Sequence, residues 1–240
     1  MCLLTVENLK THYFMKAGII KAVDGVSFCL KKGQSIGIAG ESGCGKSTIA
    51  LSLMRLVKGG KTVSGEIKLN GVSLLDMSEK EFNRIRWEKI SIISQAAMGA
   101  LNPVYTIGYQ IVEAIQAHRK MKRSQALDLA RELLEKVEID PTRVKNFPHE
   151  LSGGMRQRAM IAMALALNPE VIIADEPTTA LDVVIQAQMI KLLKKLQKEM
   201  DLSIIFISHD LSILAQICDK VLIMYAGKLM EMANAKDLFE

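Results

Sequence analysis

The sequence predicts an α/β fold: a mixed, mostly parallel sheet core with an antiparallel β subdomain and an inserted α-helical subdomain. Three observations predict it. A short apolar run, Ser35 to Ala39, leads into the glycine-rich stretch Gly40-Glu41-Ser42-Gly43-Cys44-Gly45-Lys46-Ser47-Thr48, after which apolar residues recur at helical spacing to Val57. The last third alternates short buried strands with amphipathic helices, the pattern of a parallel sheet covered by helices. Between about Ile107 and Phe147 the apolar period is helical, with no strand pattern interleaved.

Before the glycine-rich stretch, residues 3 to about 38 alternate apolar and polar positions, as in Val23-Asp24-Gly25-Val26-Ser27-Phe28-Cys29-Leu30, and read as antiparallel strands. Val63 to Asn70, ending at Gly71, reads as another. The stretch itself has the glycine, lysine and hydroxyl spacing of a phosphate-binding loop in the strand-loop-helix context that such a loop requires. Its glycines let successive N–H groups turn inward, and the following helix adds its positive end. A polyphosphate is expected there, with Lys46 reaching its outer phosphates and the Ser47 hydroxyl on Mg²⁺. Cys44, among those dipoles, is expected to be the most readily alkylated thiol, with ATP protecting it.

In the helical region Ile111, Ile115, Leu127, Leu129, Leu133, Leu134 and Val137 fall on helical faces, and Pro141 and Pro148 punctuate its exit. Further on, Val171 to Ala174 reads as a buried strand, Ile185 to Met200 as a helix with Lys191, Lys194, Lys195 and Lys198 on its exposed side, and Leu202 to Ile207 as the next strand.

Composition narrows the classes. With 49% apolar and 24% charged residues the chain builds an ordinary core. The net charge of +5 is modest, and no aromatics interleave the basic run His118 to Arg123, so that run reads as a solvated helix end or turn and no nucleic-acid partner is expected. Four cysteines, Cys2, Cys29, Cys44 and Cys218, show no metal spacing and are expected to be reduced. The longest wholly apolar run, Ala159 to Leu167, is far short of the ~20 residues that a bilayer span needs. The N-terminus lacks the pattern of a signal peptide. A membrane connection is therefore expected to come through a partner.

The chemistry gathers at strand ends. Val171 to Ala174 delivers Asp175 and Glu176, the first placed to hold Mg²⁺ and the second to polarise an attacking water. Leu151-Ser152-Gly153-Gly154 opens a helix with Ser152 as N-cap and two glycines leaving N–H groups uncovered, a second anion-binding helix end. Together with Gln157, Arg158 and the Asp175-Glu176 strand end, this segment resembles the signature and Walker B motifs of ATP-binding cassette (ABC) ATPases, and the resemblance runs from Tyr13 to about Leu229. It implies a P-loop NTPase fold of the ABC type, with residues 1–96 and 152–240 as the core and 97–151 as the Q-loop and helical subdomain. It also implies further roles. Gln95 resembles the Q-loop glutamine that touches Mg²⁺ and water, Ala180-Leu181-Asp182 the D-loop, His209 the switch histidine at the γ-phosphate, and Tyr13 the aromatic stacked on adenine, although Tyr13 could equally pack within a strand.

In this family the signature of one subunit covers the phosphate loop of another, so the resemblance implies ATP sandwiched in a head-to-tail dimer, with Ser152, Gly153 and Gly154 acting in trans. Gln95 to Pro103, Ile107 to Ile111, and Phe147-Pro148-His149-Glu150 resemble the oligopeptide, dipeptide and nickel importer class. That implies a second ABC ATPase subunit, paralogue or self, two integral membrane permease subunits, an extracytoplasmic substrate-binding protein, and a peripheral place on the cytoplasmic face of the cell membrane. The class commonly continues into a tail with clustered cysteines for an iron-sulphur centre, and residues 1–240 contain no such cluster. The alternatives are a nickel or other small-solute importer of the same class, and a soluble ABC ATPase acting on nucleic acid or ribosomes.

Overall fold

The computed structural model describes residues 1–94, 97–177 and 182–239. The chain opens with β1 (Cys2–Met15) and β2 (Gly18–Lys31), a long antiparallel pair, then β3 (Ser35–Gly40) and α1 (Lys46–Leu53). β4 (Gly60–Leu69) and β5 (Val72–Ser73) complete an antiparallel sheet of order β2-β1-β4-β5. Next comes α2 (Glu79–Ile85); the Ser78 hydroxyl accepts from Glu81 N and the Glu81 carboxylate accepts from Ser78 N, a reciprocal cap. β6 (Ile90–Ile93) precedes three helices, α3 (Ala97–Ala100), α4 (Ile107–His118) and α5 (Arg123–Lys136). The basic run spans the connection from the last residue of α4, His118, to the first of α5, Arg123, as expected of a helix end or turn. Pro141 and Pro148 each begin a short 3-10 turn.

After α6 (Gly153–Ala164) come β7 (Val171–Asp175), α7 (Val183–Met200), β8 (Ser203–Ile207), α8 (Leu211–Ile217), β9 (Lys220–Tyr225), β10 (Lys228–Asn234) and α9 (Ala235–Phe239). The second sheet has the order β10-β9-β3-β8-β7-β6, parallel throughout except for β10. α7 begins two residues before the expected Ile185 because the Asp182 carboxylate accepts from Ile185 N at 2.9 Å and caps the helix there.

Alternation along the buried strands divides the interior in two. Ile172, Ala174, Ile204 and Phe206 face a core shared with α4 to α7. Val171, Ile173, Ile205, Ile207, Ile36 and Ile38 face the other side, against α1 and the antiparallel sheet. Both faces of the sheet are therefore covered, which is why these strands are apolar throughout.

Two expectations about cysteine change. Cys2 and Cys29 form a disulfide, with Cα atoms 5.7 Å apart. Their separation of 27 residues matches no local motif, but the antiparallel pairing of β1 with β2 returns the chain to its start and brings the two together. Cys44, expected to be reactive, is buried at 5% exposure. Burial also pushes the Cys218 thiol well above its ordinary range.

Candidate active site

β3, β8 and β7 run parallel with Ile38 beside Ile207 and Ile207 beside Asp175, so the segments leaving these three strands emerge at the same edge of the sheet. The glycine-rich loop leaves β3, Asp175 and Glu176 end β7, and Ser208 and His209 leave β8. A sheet of this kind places ligands outside the carboxyl ends of its strands. Gln95, Ala180 and Leu181, three of the expected motif residues, lie outside the described residues.

Within the loop Gly40, Gly43 and Gly45 have φ values of +148°, +80° and +108°. A β-carbon on Gly45 would lie 2.0 Å from the Ala22 carbonyl oxygen, and one on Gly40 would lie 2.3 Å from that of Met224. Only glycine fits either place. Lys46, buried at 5% exposure, donates through Nζ to the carbonyls of Gly40 at 2.7 Å and Glu41 at 2.8 Å, so its ammonium is folded back over the loop. Ser47 Oγ donates to Asp175 Oδ1 at 3.1 Å.

That hydroxyl and carboxylate, drawn from two elements, fit Mg²⁺. The ion takes hard oxygen ligands and is usually held by one or two protein groups together with substrate phosphates rather than by an all-protein cage. Among the described residues no cluster of three or more His, Cys, Asp or Glu forms such a cage.

Asp175 is 7% exposed, and its burial raises its carboxyl above the ordinary aspartate range. The bond from Ser47 and the charge of Lys46 work against the shift, and the charge of Glu176 works with it. The folded chain therefore holds this proton more tightly than the unfolded one. Stability is lost as pH rises from the unfolded-chain value through the folded one, and the ionised carboxylate is a burden at neutral pH. Asp175→Asn, which keeps an acceptor for Ser47, should therefore raise the melting temperature of the nucleotide-free protein. Calorimetry at pH 7 would show it, and an unchanged or lower melting temperature would contradict it.

Glu176 stands at φ +48°, a left-handed conformation that a glutamate seldom adopts, and its N–H donates to Ile207 O at 2.9 Å. Its Oε1 lies 3.4 Å from His209 Nδ1; the acid is largely covered and the imidazole is 64% exposed. The acid is thus held by β8 on one side and set against the histidine just beyond β8 on the other. Such strain occurs where the surroundings dictate a side chain's direction.

Ser152 caps α6, its hydroxyl accepting from Met155 N at 3.3 Å, and it is exposed. Among the described residues the hydrogen bond of the Ser152 side chain is this cap, and a β-carbon on Gly154 would meet Ile185 of α7 at 3.0 Å. Tyr13 lies in β1 opposite Ile20 and Gly60, half-buried, with its ring against the Gly60 backbone. Asp182 is engaged as the cap of α7. Gln157 adds a contact that its place in the signature segment does not predict: its buried amide donates to the Pro177 carbonyl, tying α6 to the segment just after Glu176. A polar residue beside the apolar run of a helix is the only hint of it in the sequence.

Fold and site together define a nucleotide-binding α/β protein of the phosphate-loop kind. Residues 23–179 match the model of the ABC transporter family. The chain is 50% identical over 99% of its length to the protein named "Probable peptide ABC transporter ATP-binding protein y4tR" of Sinorhizobium fredii, covering 72% of it. It is 48% identical, again over 99% of its length, to the oligopeptide transport ATP-binding protein AppD of Bacillus subtilis, covering 74% of that chain. Among solved structures, the dimeric bacterial ABC transporter cassette MJ0796 superposes with a TM-score of 0.86 at 29% identity, over 97% of this chain and 98% of that one. The chain belongs to the ABC transporter family and is its ATPase cassette, in agreement with the expected fold and activity.

Proposed function

We propose that this chain is the ATP-hydrolysing subunit of an importer of dipeptides or oligopeptides, working at the cytoplasmic face of the cell membrane as one half of a head-to-tail pair of cassettes. The observation that carries the mechanism is the convergence of Lys46, Ser47, Asp175, Glu176 and His209 at one sheet edge, with Ser47 and Asp175 3.1 Å apart and Glu176 and His209 3.4 Å apart. The peptide class rests on the similarity to y4tR and AppD.

In this reading the loop from Gly40 to Thr48 turns its N–H groups to the phosphates and Lys46 leaves its carbonyls for the outer ones. Ser47, Asp175 and Gln95 would hold Mg²⁺, which would supply charge neutralisation for the polyphosphate. Glu176 accepts a proton from the attacking water, and His209 orients that acid and meets the γ-phosphate. Tyr13 stacks on adenine. Ser152, Gly153 and Gly154 present their helix end to the nucleotide of the paired cassette, and Asp182 lies in the same interface.

Residues 97–151 form the Q-loop and helical subdomain, where the permease would dock. A groove of about 540 Å³ beside α4, lined by Trp87, Ala100, Asn102, Tyr105, Gln110 and Met163, suits a short helix of that partner. No helix among the described residues is long and apolar enough to cross a membrane, consistent with peripheral attachment through such a partner. A reducing compartment would hold Cys2 and Cys29 as thiols.

Affinity purification of the chain from membranes, with ATPase assay of the reconstituted complex, tests the reading. Two permease subunits and a binding protein are expected, with hydrolysis stimulated by peptide. Stimulation by nickel and not by peptide would move the chain within its class, and recovery with ribosomes or DNA alone would overturn the transporter reading.

A further inference from the structure

We infer that Gly227, in the turn between β9 and β10, is a positioning residue for the phosphate loop: its N–H fixes the orientation of the Cys44–Gly45 peptide, and so aims the Gly45 N–H at the bound phosphates. The inference rests on reading the loop as a polyphosphate site. Gly227 N donates to Cys44 O at 2.9 Å, and Asp24 N donates to Gly227 O at 2.7 Å. One glycine thus joins β2 of the antiparallel sheet to the loop after β3 of the parallel one.

In a trans peptide the carbonyl and the following N–H point in opposite directions. Holding the Cys44 oxygen down toward Gly227 therefore turns the Gly45 N–H away from the turn, to the opposite side of that peptide plane. Without the bond this peptide has a competing choice, because a loop so rich in glycine has few steric barriers to a flip. Close packing excludes side chains here, with the carbonyl oxygens of Ala22 and Met224 2.0 and 2.3 Å from where β-carbons on Gly45 and Gly40 would be, but it does not choose which way this peptide faces. The turn is as tightly specified as the loop. Gly227 has φ +82°, and a β-carbon there would lie 2.5 Å from Lys21 O and 3.1 Å from Ala22 O. A substituted residue must lift the turn from β2 and draw its N–H from Cys44.

The clean test is an amide-to-ester exchange at Gly227, which removes the N–H and adds no side chain, with Gly227→Ala as a second variant. Affinities for ADP and for adenosine would be measured on the full chain, with thermal melting as a check on folding. The exchange is expected to weaken ADP binding roughly tenfold, the effect of one misdirected hydrogen bond to a charged group, and to leave adenosine binding unchanged. ADP affinity within about twofold of the unsubstituted protein, or an equal loss for ADP and adenosine, would overturn the inference, since a merely structural role moves both ligands together. An unsubstituted protein with no preference for ADP over adenosine would instead overturn the polyphosphate reading itself.

Discussion

Glu176→Gln is expected to bind ATP with an affinity within about threefold of the unsubstituted protein while hydrolysing it about 10²–10⁴-fold more slowly, the usual contribution of a positioned general base. The amide fills the same volume and leaves the backbone bond to Ile207 and the loop around Lys46 intact. It removes the ability to take a proton. With hydrolysis blocked and binding retained, the paired cassettes should remain associated in ATP, as a dimer resolved by sedimentation, and separate slowly when ATP is withdrawn. Hydrolysis at the unsubstituted rate would show that another group accepts the proton.

Lys46→Ala has a different signature, because it acts on binding. The buried ammonium makes two short bonds to Gly40 and Glu41 carbonyls, and in the nucleotide-bound protein it would exchange these for phosphate oxygens. Loss of one charged donor corresponds to about 1.5–3 kcal/mol, or roughly 10–150-fold in ATP affinity. The nucleotide-free protein should also melt lower, since both carbonyls lose their donor. Lys46→Arg should not restore affinity: a planar guanidinium cannot fold back over the loop as the compact ammonium does. Titration of the three proteins with a fluorescent ATP analogue would decide this, and full affinity in Lys46→Ala would remove the lysine from the site.

Local pattern makes much of this molecule readable in advance. Gly40 to Thr48 announces a loop because glycine, lysine and hydroxyl must occupy fixed offsets, and Val171 to Glu176 announces acids at a strand end because an apolar run stops abruptly at two charges. The two interior faces of the sheet cannot be read in the same way, since strands buried on both sides are apolar at every position. Contacts made by returning backbone leave still less trace. The pairing of Cys2 with Cys29 depends on the register of β1 with β2, and the support of Cys44 by Gly227 joins residues far apart in sequence through main-chain atoms alone. The twisted backbone of Glu176 is likewise invisible in its residue type. The start of α7 is obscured for a simpler reason: Asp182 reads as part of a motif, which hides its second role as the cap that starts the helix.

If two cassettes pair as proposed, the bond from Gln157 to the Pro177 carbonyl bears on how their nucleotides would communicate. In the proposed pair of cassettes it would fasten α6, whose N-terminal end would face the partner's nucleotide, to the segment just beyond Glu176. Moving one without the other would leave a buried amide unsatisfied, at a cost of about 1–3 kcal/mol. A displacement set off by ATP at one loop would therefore reach the proton acceptor of the other, and the two sites would show cooperativity in hydrolysis rather than independent turnover.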